Sequence, residues 1–289
     1  MTTQDTNYTY SFSGKKLDFS SPLVMGILNI TPDSFFDGGR YTDEKNSLVQ
    51  VEKMLTEGAS IIDIGSYSTR PGAKEISEDE ECQRLSSVLK SIRKEFNQAI
   101  LSIDTFRSTI AQKAIAEGGD LINDISGGTM DNKMFETIGR LKVPYVLMHI
   151  QGTPETMQQN PVYKHVVEDV KTYLQEKIIQ LNKAGVEQII IDPGFGFGKT
   201  VEHNFELLKN LAQFKTLGYP ILAGLSRKSI INKVLGIKAA DALNGTSVLN
   251  TVALLNGASI LRVHDVKEAM ECIRLTAKYL TSRNGTRIK

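Results

Sequence analysis

The chain has 289 residues, 40% of them hydrophobic and 23% charged, with 23 glycines; this excludes a disordered or fibrous protein and leaves room for two domains of roughly 150 residues or one α/β barrel of about 200–250. Thirty-four Lys and Arg against thirty-three Asp and Glu give a formal net charge of +1, so no overall field favours nucleic acid or an anionic membrane surface. The two cysteines, Cys82 and Cys272, show no C-x-x-C spacing, which argues against a thiolate metal site or a disulfide framework and fits a reducing cytoplasm.

Residues 1–20 are an N-terminal extension without the basic and apolar succession of a secretory signal. Within it, 8–19 (YTYSFSGKKLDF) predicts a hairpin across the bottom of whatever follows. Eight short runs rich in Val, Ile and Leu come next, at 22–28, 59–64, 99–103, 120–125, 143–148, 187–191, 219–224 and 258–263. Each is too short for a packed helix and too uniformly apolar for a half-exposed strand, which is the pattern of parallel strands buried on both faces. None approaches the roughly 20 apolar residues of a membrane span. The stretches between them are amphipathic: Val170, Leu174, Ile178 and Leu181 follow helical spacing, as do Leu207, Leu208, Leu211 and Phe214. Gly58, Gly118, Gly185, Gly218 and Gly257 each stand where such a helix would end, the usual place for a left-handed residue. Gly-Ala-Ser-Ile even occurs twice, at 58–61 and 257–260. Eight βα units with no break in composition predict an α/β fold, a single-domain (β/α)8 TIM barrel over residues 21–289.

Such a barrel carries its reactive groups where strands end and βα loops begin. Those positions hold Asn29, Asp63, Asp104, Asn123, His149, Asp192, Ser226 to Lys228, and Arg262 with His264. Polar residues at strand ends often only meet water or cap the next helix, and Asp104 and Asn123 alone would be read as caps. Their recurrence after nearly every strand, while the opposite ends show mainly Gly, Ala and Pro, marks one face as chemically loaded. The loops 30–41 (ITPDSFFDGGRY) and 65–77 (GSYSTRPGAKEIS) add adjacent aromatics and cations to small residues, suggesting a lid over a ligand. DPGFGFGKT at 192–200 is not a Walker A loop, because Pro193 stands where its first glycine belongs, and not a dinucleotide fingerprint, because Lys199 stands where its third belongs. Its glycines read as backbone that approaches a flat ligand, with the rings of Phe195 and Phe197 beside it or in the core.

Taken together, MGILNITPDSFFDGG (25–39), DIGSYSTRPGA (63–73), SIDTF (102–106), INDISGG (122–128), DPGFGFGK (192–199), GLSRKS (224–229) and RVHDV (262–266) resemble dihydropteroate synthase, the sulfonamide-blocked family of the folate pathway. The resemblance runs from the first strand to the last unit. It implies a transferase that condenses 6-hydroxymethyl-7,8-dihydropterin diphosphate with p-aminobenzoate to 7,8-dihydropteroate and pyrophosphate, aided by Mg2+. By motif, Asp104, Asn123, Asp192 and Lys228 would hold the pterin. Thr69, Arg70, Arg262 and His264 would hold the diphosphate, with Asn29 at the metal. Thr69, Pro71, Phe197 and Ser229 would line the p-aminobenzoate site, near Phe35 and Lys228. Catalytic parts are expected for Asp104, Lys228, Asp33 and Phe35.

These roles suit the residue types: a carboxylate accepts paired N–H donors, an ammonium donates to ring oxygen and nitrogen, and a guanidinium forks onto phosphate. The resemblance also implies a homodimer acting on small molecules, while charge, cysteine usage and the shortness of the apolar runs imply a cytoplasmic protein with neither nucleic acid nor membrane as partner. A corrinoid-linked methyltransferase on the same barrel would not need the Ser68 to Pro71 loop or the Arg262 and His264 pair. A pterin-binding protein without turnover is the other alternative.

Overall fold

The chain opens with the two-residue turn Ser13-Gly14, both at positive φ (48° and 74°), which joins β1 (Thr9–Phe12) to β2 (Lys15–Asp18) as an antiparallel hairpin. The computed structural model describes residues 8–30, 40–66 and 76–282, except 155, 158 and 160. Strand and helix then alternate in order: β3 (Leu23–Asn29), α1 (Arg40–Glu57), β4 (Ile61–Gly65), α2 (Glu78–Glu95), β5 (Leu101–Asp104), α3 (Ser108–Ala116), β6 (Leu121–Asp124) and α4 (Met134–Leu141). They continue as β7 (Tyr145–Met148), α5 (Val166–Lys183), β8 (Ile189–Asp192), α6 (Val201–Lys209), β9 (Leu222–Ala223), α7 (Ser229–Leu235), α8 (Leu243–Leu255), β10 (Ile260–Val263) and α9 (Val266–Thr281).

All eight predicted runs overlap a strand, and β3 to β10 form one parallel sheet in the order β8-β7-β6-β5-β4-β3-β10-β9. A single bridge, Ile191 to Ile221, joins its two ends and closes the barrel. The seventh unit departs from the expected one helix per strand. Gly236, left-handed at φ 65°, ends α7 after seven residues, and α8 follows before β10. The five glycines expected to stop helices, Gly58, Gly118, Gly185, Gly218 and Gly257, all have positive φ (81–108° for four, 80° for Gly218).

Alternation along the strands sorts the core. Outward-facing Val24, Leu28, Ile62, Ile64, Leu101, Ile103, Ile122, Leu147, Ile189 and Ile191 pack with the buried faces of the helices. The inward-facing residues at the N-terminal ends, among them Met25, Ile61, Leu121, Val146, Ile190, Leu222 and Ile260, form a second cluster with Tyr10, Phe12, Leu17 and Phe19 of the hairpin. The hairpin therefore plugs the barrel bottom, as the sequence predicts. Polar anchors fix it there: Tyr10 Oη donates to the Ile189 carbonyl at 2.5 Å, and Lys15 Nζ reaches Asp120 at 2.8 Å. Asp120 is buried and shared with Arg93 at 2.7 Å. No helix among the described residues is long and apolar enough to cross a membrane.

Candidate active site

Two residues further along each inward row, the side chains become polar. Ile61 is followed by Asp63, Leu121 by Asn123, Ile190 by Asp192 and Ile260 by Arg262 and His264, while Ser102 and Asp104 hold the same rows of β5. A TIM barrel interior normally fills with bulky branched side chains; here only the bottom layer does so.

Arg262 is the hub. Its Nε and Nη2 both lie 2.7 Å from Asp63 Oδ2, and Nη2 lies 2.7 Å from Asp104 Oδ2. Asn123 Nδ2 donates to the same Asp63 oxygen at 3.0 Å, and Ser102 Oγ donates to the other at 2.5 Å. Asp63 is fully buried and accepts from Ser102, Asn123 and Arg262. One guanidinium thus faces two carboxylates, leaving one negative charge in excess. Burial, offset by Arg262 and reinforced by Asp63, pushes Asp104 up to about 7. Among the described residues, Nη1 of Arg262 makes no hydrogen bond, so the guanidinium keeps donors beyond those given to the acids.

Asp192 closes the far side. It is buried, one oxygen accepts the Gly194 N–H at 2.7 Å, and burial raises its pKa against the pull of Lys228, Lys199 and Arg262. Lys228 donates to the Phe195 carbonyl oxygen and stands 4.4 Å from the centroid of the Phe197 ring. Burial lowers its pKa to about 8, with Arg262 adding to the fall and Asp192 and Asp104 opposing it. Asp104, Asp192, Lys228 and Arg262 are therefore close enough to govern one another's charge. Asn123 joins them through Asp63. Neither Asp104 nor Asn123 caps a helix: the residues at the N-caps of α3 and α4 are Arg107 and Lys133.

The rest of the mouth is set by β3, β4 and β10. A Cβ at Gly65 would sit 3.6 Å from Asn29 Oδ1 and 3.7 Å from Asp104 Oδ2, so the missing side chain leaves a gap between those groups. His264 pairs through Nδ1 with Ser226 Oγ at 3.0 Å. Ser229 is exposed at the start of α7, next to Lys228. Asp33, Phe35, Thr69, Arg70 and Pro71, with the rest of 31–39 and 67–75, lie outside the described residues.

The glycine-rich loop differs from expectation. Gly194, Gly196 and Gly198 have φ of 72°, 81° and 59°, and their neighbours are protein. A Cβ at Gly194 would fall 1.9 Å from the His149 carbonyl oxygen, one at Gly196 2.9 Å from Lys228 Cδ, and one at Gly198 2.8 Å from the Gln151 carbonyl oxygen. These glycines serve chain-to-chain approach and left-handed turns. Phe195 is wholly buried, so only Phe197 offers its ring.

Lys199, whose role the sequence leaves blank, is the loop's internal brace. It is buried and donates to the carbonyls of Gly194 and Phe197 and to His149 Nδ1, each at 2.9 Å. Burial and the adjacent ammonium push His149 down to about 2, so the imidazole is a neutral acceptor. Asp63 stands at a strand end in the sequence, with no role marked for it by residue type alone. The signal was its place in the inward row.

Residues 25–264 match the family model described as pterin binding enzyme. The chain is 46% identical over 265 residues to a dihydropteroate synthase of Haemophilus influenzae, covering 91% of this chain and 96% of that one. Two solved structures of Xanthomonas albilineans dihydropteroate synthase are similar throughout. One, with 4-aminobenzoic acid, has a TM-score of 0.90 at 35% identity, covering 96% of this chain and 100% of that one. The other, in complex with 7,8-dihydropteroate, has a TM-score of 0.86 at 32% identity over the same shares.

Proposed function

The chain belongs to the dihydropteroate synthases within the pterin-binding enzyme family, and we propose that the polar upper layers of its barrel supply the groups for that reaction. The enzyme condenses 6-hydroxymethyl-7,8-dihydropterin diphosphate with p-aminobenzoate, giving 7,8-dihydropteroate and pyrophosphate.

The pterin is assigned to Asp104, Asn123, Asp192 and Lys228. Asp192 already holds the Gly194 N–H on one oxygen and accepts paired ring N–H donors as a carboxylate, while Lys228 donates to ring acceptors. The diphosphate is assigned to Arg262 and His264, with Thr69 and Arg70 of the second loop. Supporting this, Arg262 retains a nitrogen without a protein partner among the described residues and lies on the same inward row as His264. Phe197 and Ser229, with Thr69 and Pro71, are assigned to p-aminobenzoate, next to the Lys228 ammonium. Asp33 and Phe35 are assigned catalytic parts from the first loop.

Heterolysis of the bond between the methylene carbon and the diphosphate oxygen leaves a cation that conjugation spreads over the pterin. The excess negative charge on the Asp63, Asp104 and Arg262 cluster is placed to stabilise it as it develops. The aryl amine is neutral at physiological pH, so its lone pair forms the new C–N bond without an activating base, and the amine proton is lost afterwards.

Mg2+ fits as an ion carried largely by substrate. Asn29 offers one amide oxygen across Gly65 from Asp104. No group of three His, Cys, Asp or Glu ligands exists among the described residues, so diphosphate oxygens and water would supply the remaining ligands. When bound, the ion would offset charge on the departing diphosphate.

The observation that carries the reading is the shared Arg262: it gathers side chains of β4, β5 and β10, with Asn123 of β6, into one charged cluster at the mouth. The test is pyrophosphate release from dihydropterin diphosphate that depends on p-aminobenzoate. Release without p-aminobenzoate, or none at all, defeats it. We also propose a cytoplasmic homodimer. Val248 and Leu255 on α8 and Leu275, Tyr279 and Leu280 on the adjacent α9 are exposed apolar side chains that suit a subunit contact, and sedimentation at monomer mass would contradict it.

A further inference from the structure

We propose that Arg227 is a positioning residue whose clamp on Asp265 sets where Lys228 and His264 stand, joining the pterin and diphosphate halves of the site. The inference rests on the assignment of those two residues to substrate.

Three non-glycine residues among those described have positive φ: Ser13, Lys142 and Arg227. Ser13 is in a hairpin turn and Lys142 closes helix α4, both ordinary places for a left-handed residue. Arg227, at φ 53°, is in neither. It sits between β9 and α7, with Ser226 before it and Lys228 after it. A side chain in this backbone region is strained, and it persists only where the surroundings over-determine it.

They do so here. Arg227 Nε and Nη2 donate to the two carboxylate oxygens of Asp265, each at 2.8 Å. Its Nη1 donates to the carbonyls of Ala239 at 3.1 Å and Ala240 at 2.9 Å, and its backbone N–H donates to Thr246 Oγ1 on α8 at 3.0 Å. These bonds tie the β9 loop to the segment before α8, to α8 itself and to the start of α9.

The consequence lies in the two neighbours. Ser226 Oγ meets His264 Nδ1 at 3.0 Å and accepts the His264 N–H at 3.2 Å. Residues 226–264 and 227–265 are thus successive rungs between the loops after β9 and β10. The left-handed turn at Arg227 lets Ser226 face His264 while Lys228, one residue later, reaches Phe195 and Phe197. If the clamp is lost, the turn relaxes and these groups shift relative to each other. A displacement near 1 Å can cost about a hundredfold in rate.

The experiment uses the full chain with Arg227→Lys, Arg227→Gly and Asp265→Asn, and reads kcat and KM for both substrates and the pH at which activity falls on the alkaline side. Lysine keeps the charge and loses the fork. Glycine keeps the left-handed backbone and loses the clamp. We expect Arg227→Lys and Asp265→Asn to lower kcat at least tenfold, the two combined in one chain to lose little more than either alone, and Arg227→Gly to fall between them and the parent. The alkaline limb should move up as Lys228 leaves its buried place. Rates are taken per folded molecule below each melting transition, so a variant that loses only stability, with kcat and the alkaline limb unchanged, overturns the proposal. Lys228→Ala and His264→Ala serve as controls. If those retain activity, the site assignment fails; if they are inactive while the Arg227 and Asp265 variants match the parent, only the positioning role fails.

Discussion

Replacing Asp63 with asparagine separates what this residue does for the fold from what it does for Asp104. The carboxylate is fully buried and accepts from Ser102, Asn123 and Arg262. An amide of the same shape turns one acceptor into a donor that must face another donor, and it leaves Arg262 with Asp104 as its single acid. Removing one member of a buried ion pair costs roughly 3–5 kcal/mol when the other is left unpaired; because Asp104 still holds Arg262, the lower end, about 3 kcal/mol, is expected. For a chain of this size that lowers Tm by about 5 °C. The effect on Asp104 has the opposite sign, since Asp63 is one of the causes that raise it. Two unit charges about 5 Å apart at an effective dielectric of about 20–40 interact by roughly 1.5–3 kcal/mol, so the acid limb of kcat/KM should move down by about one to two pH units. Thermal melts and a pH series of steady-state rates on one preparation read both. A melt that drops while the acid limb stays in place would show that Asp63 supports packing alone, and the account of a shared guanidinium with surplus negative charge would fail.

Substitutions elsewhere in the barrel have equally definite outcomes. Asp192→Asn should weaken pterin binding by roughly 2–5 kcal/mol, because an acceptor pair becomes one donor and one acceptor in a buried place; calorimetry giving an unchanged pterin affinity would remove the residue from that role. The pH profile should rise as Asp104 loses its proton near about 7 and fall as Lys228 loses its own near about 8, and Asp104→Asn should lack the acid limb. The raised value also means that the folded chain holds this proton more tightly than the unfolded chain, whose carboxyl ionises near 3.8; the parent should therefore lose stability as pH rises from there to about 7, a slope missing in Asp104→Asn melts. Lys15→Met should cost roughly 1.5–3 kcal/mol through the lost bond to Asp120 and leave kcat unchanged, since the hairpin lies at the barrel end away from the mouth; a matching loss of kcat would contradict that separation.

The barrel was legible because its strands are buried on both faces. Runs such as 143–148 and 187–191 need no periodicity to be recognised, and Gly58, Gly118, Gly185, Gly218 and Gly257, which the sequence places before five of them, all adopt the positive φ that such a position implies. The extra helix α7 was not, since seven residues ending at Gly236 leave no period to count. The site was legible as a set of residue types at strand ends, and its pairing was not. Arg262 meets Asp63 and Asp104 across 199 and 158 residues, contacts that exist only once the sheet closes on itself. The glycines of 194–198 misled for a related reason: a glycine that makes room for a ligand and one that makes room for the His149 carbonyl are the same letter. Lys199 carries no mark of its role because two of its three acceptors are main-chain oxygens and the third, His149 Nδ1, lies 50 residues away.

Polar filling of the upper barrel has a thermodynamic counterpart at the other end. Layers that would otherwise bury branched apolar side chains hold Asp63, Ser102, Asn123, Asp192 and Arg262, each carrying a desolvation cost that its partners only offset. The hairpin adds Tyr10, Phe12, Leu17 and Phe19 beneath the lowest layer, extending the apolar interior in the one direction that the site leaves open. Fold and chemistry therefore divide along the barrel axis. Substitutions that pack the bottom more tightly should raise stability without touching the rates, whereas any apolar replacement of the Asp63 and Arg262 layer that stabilises the chain must do so by removing the charges that the reaction uses.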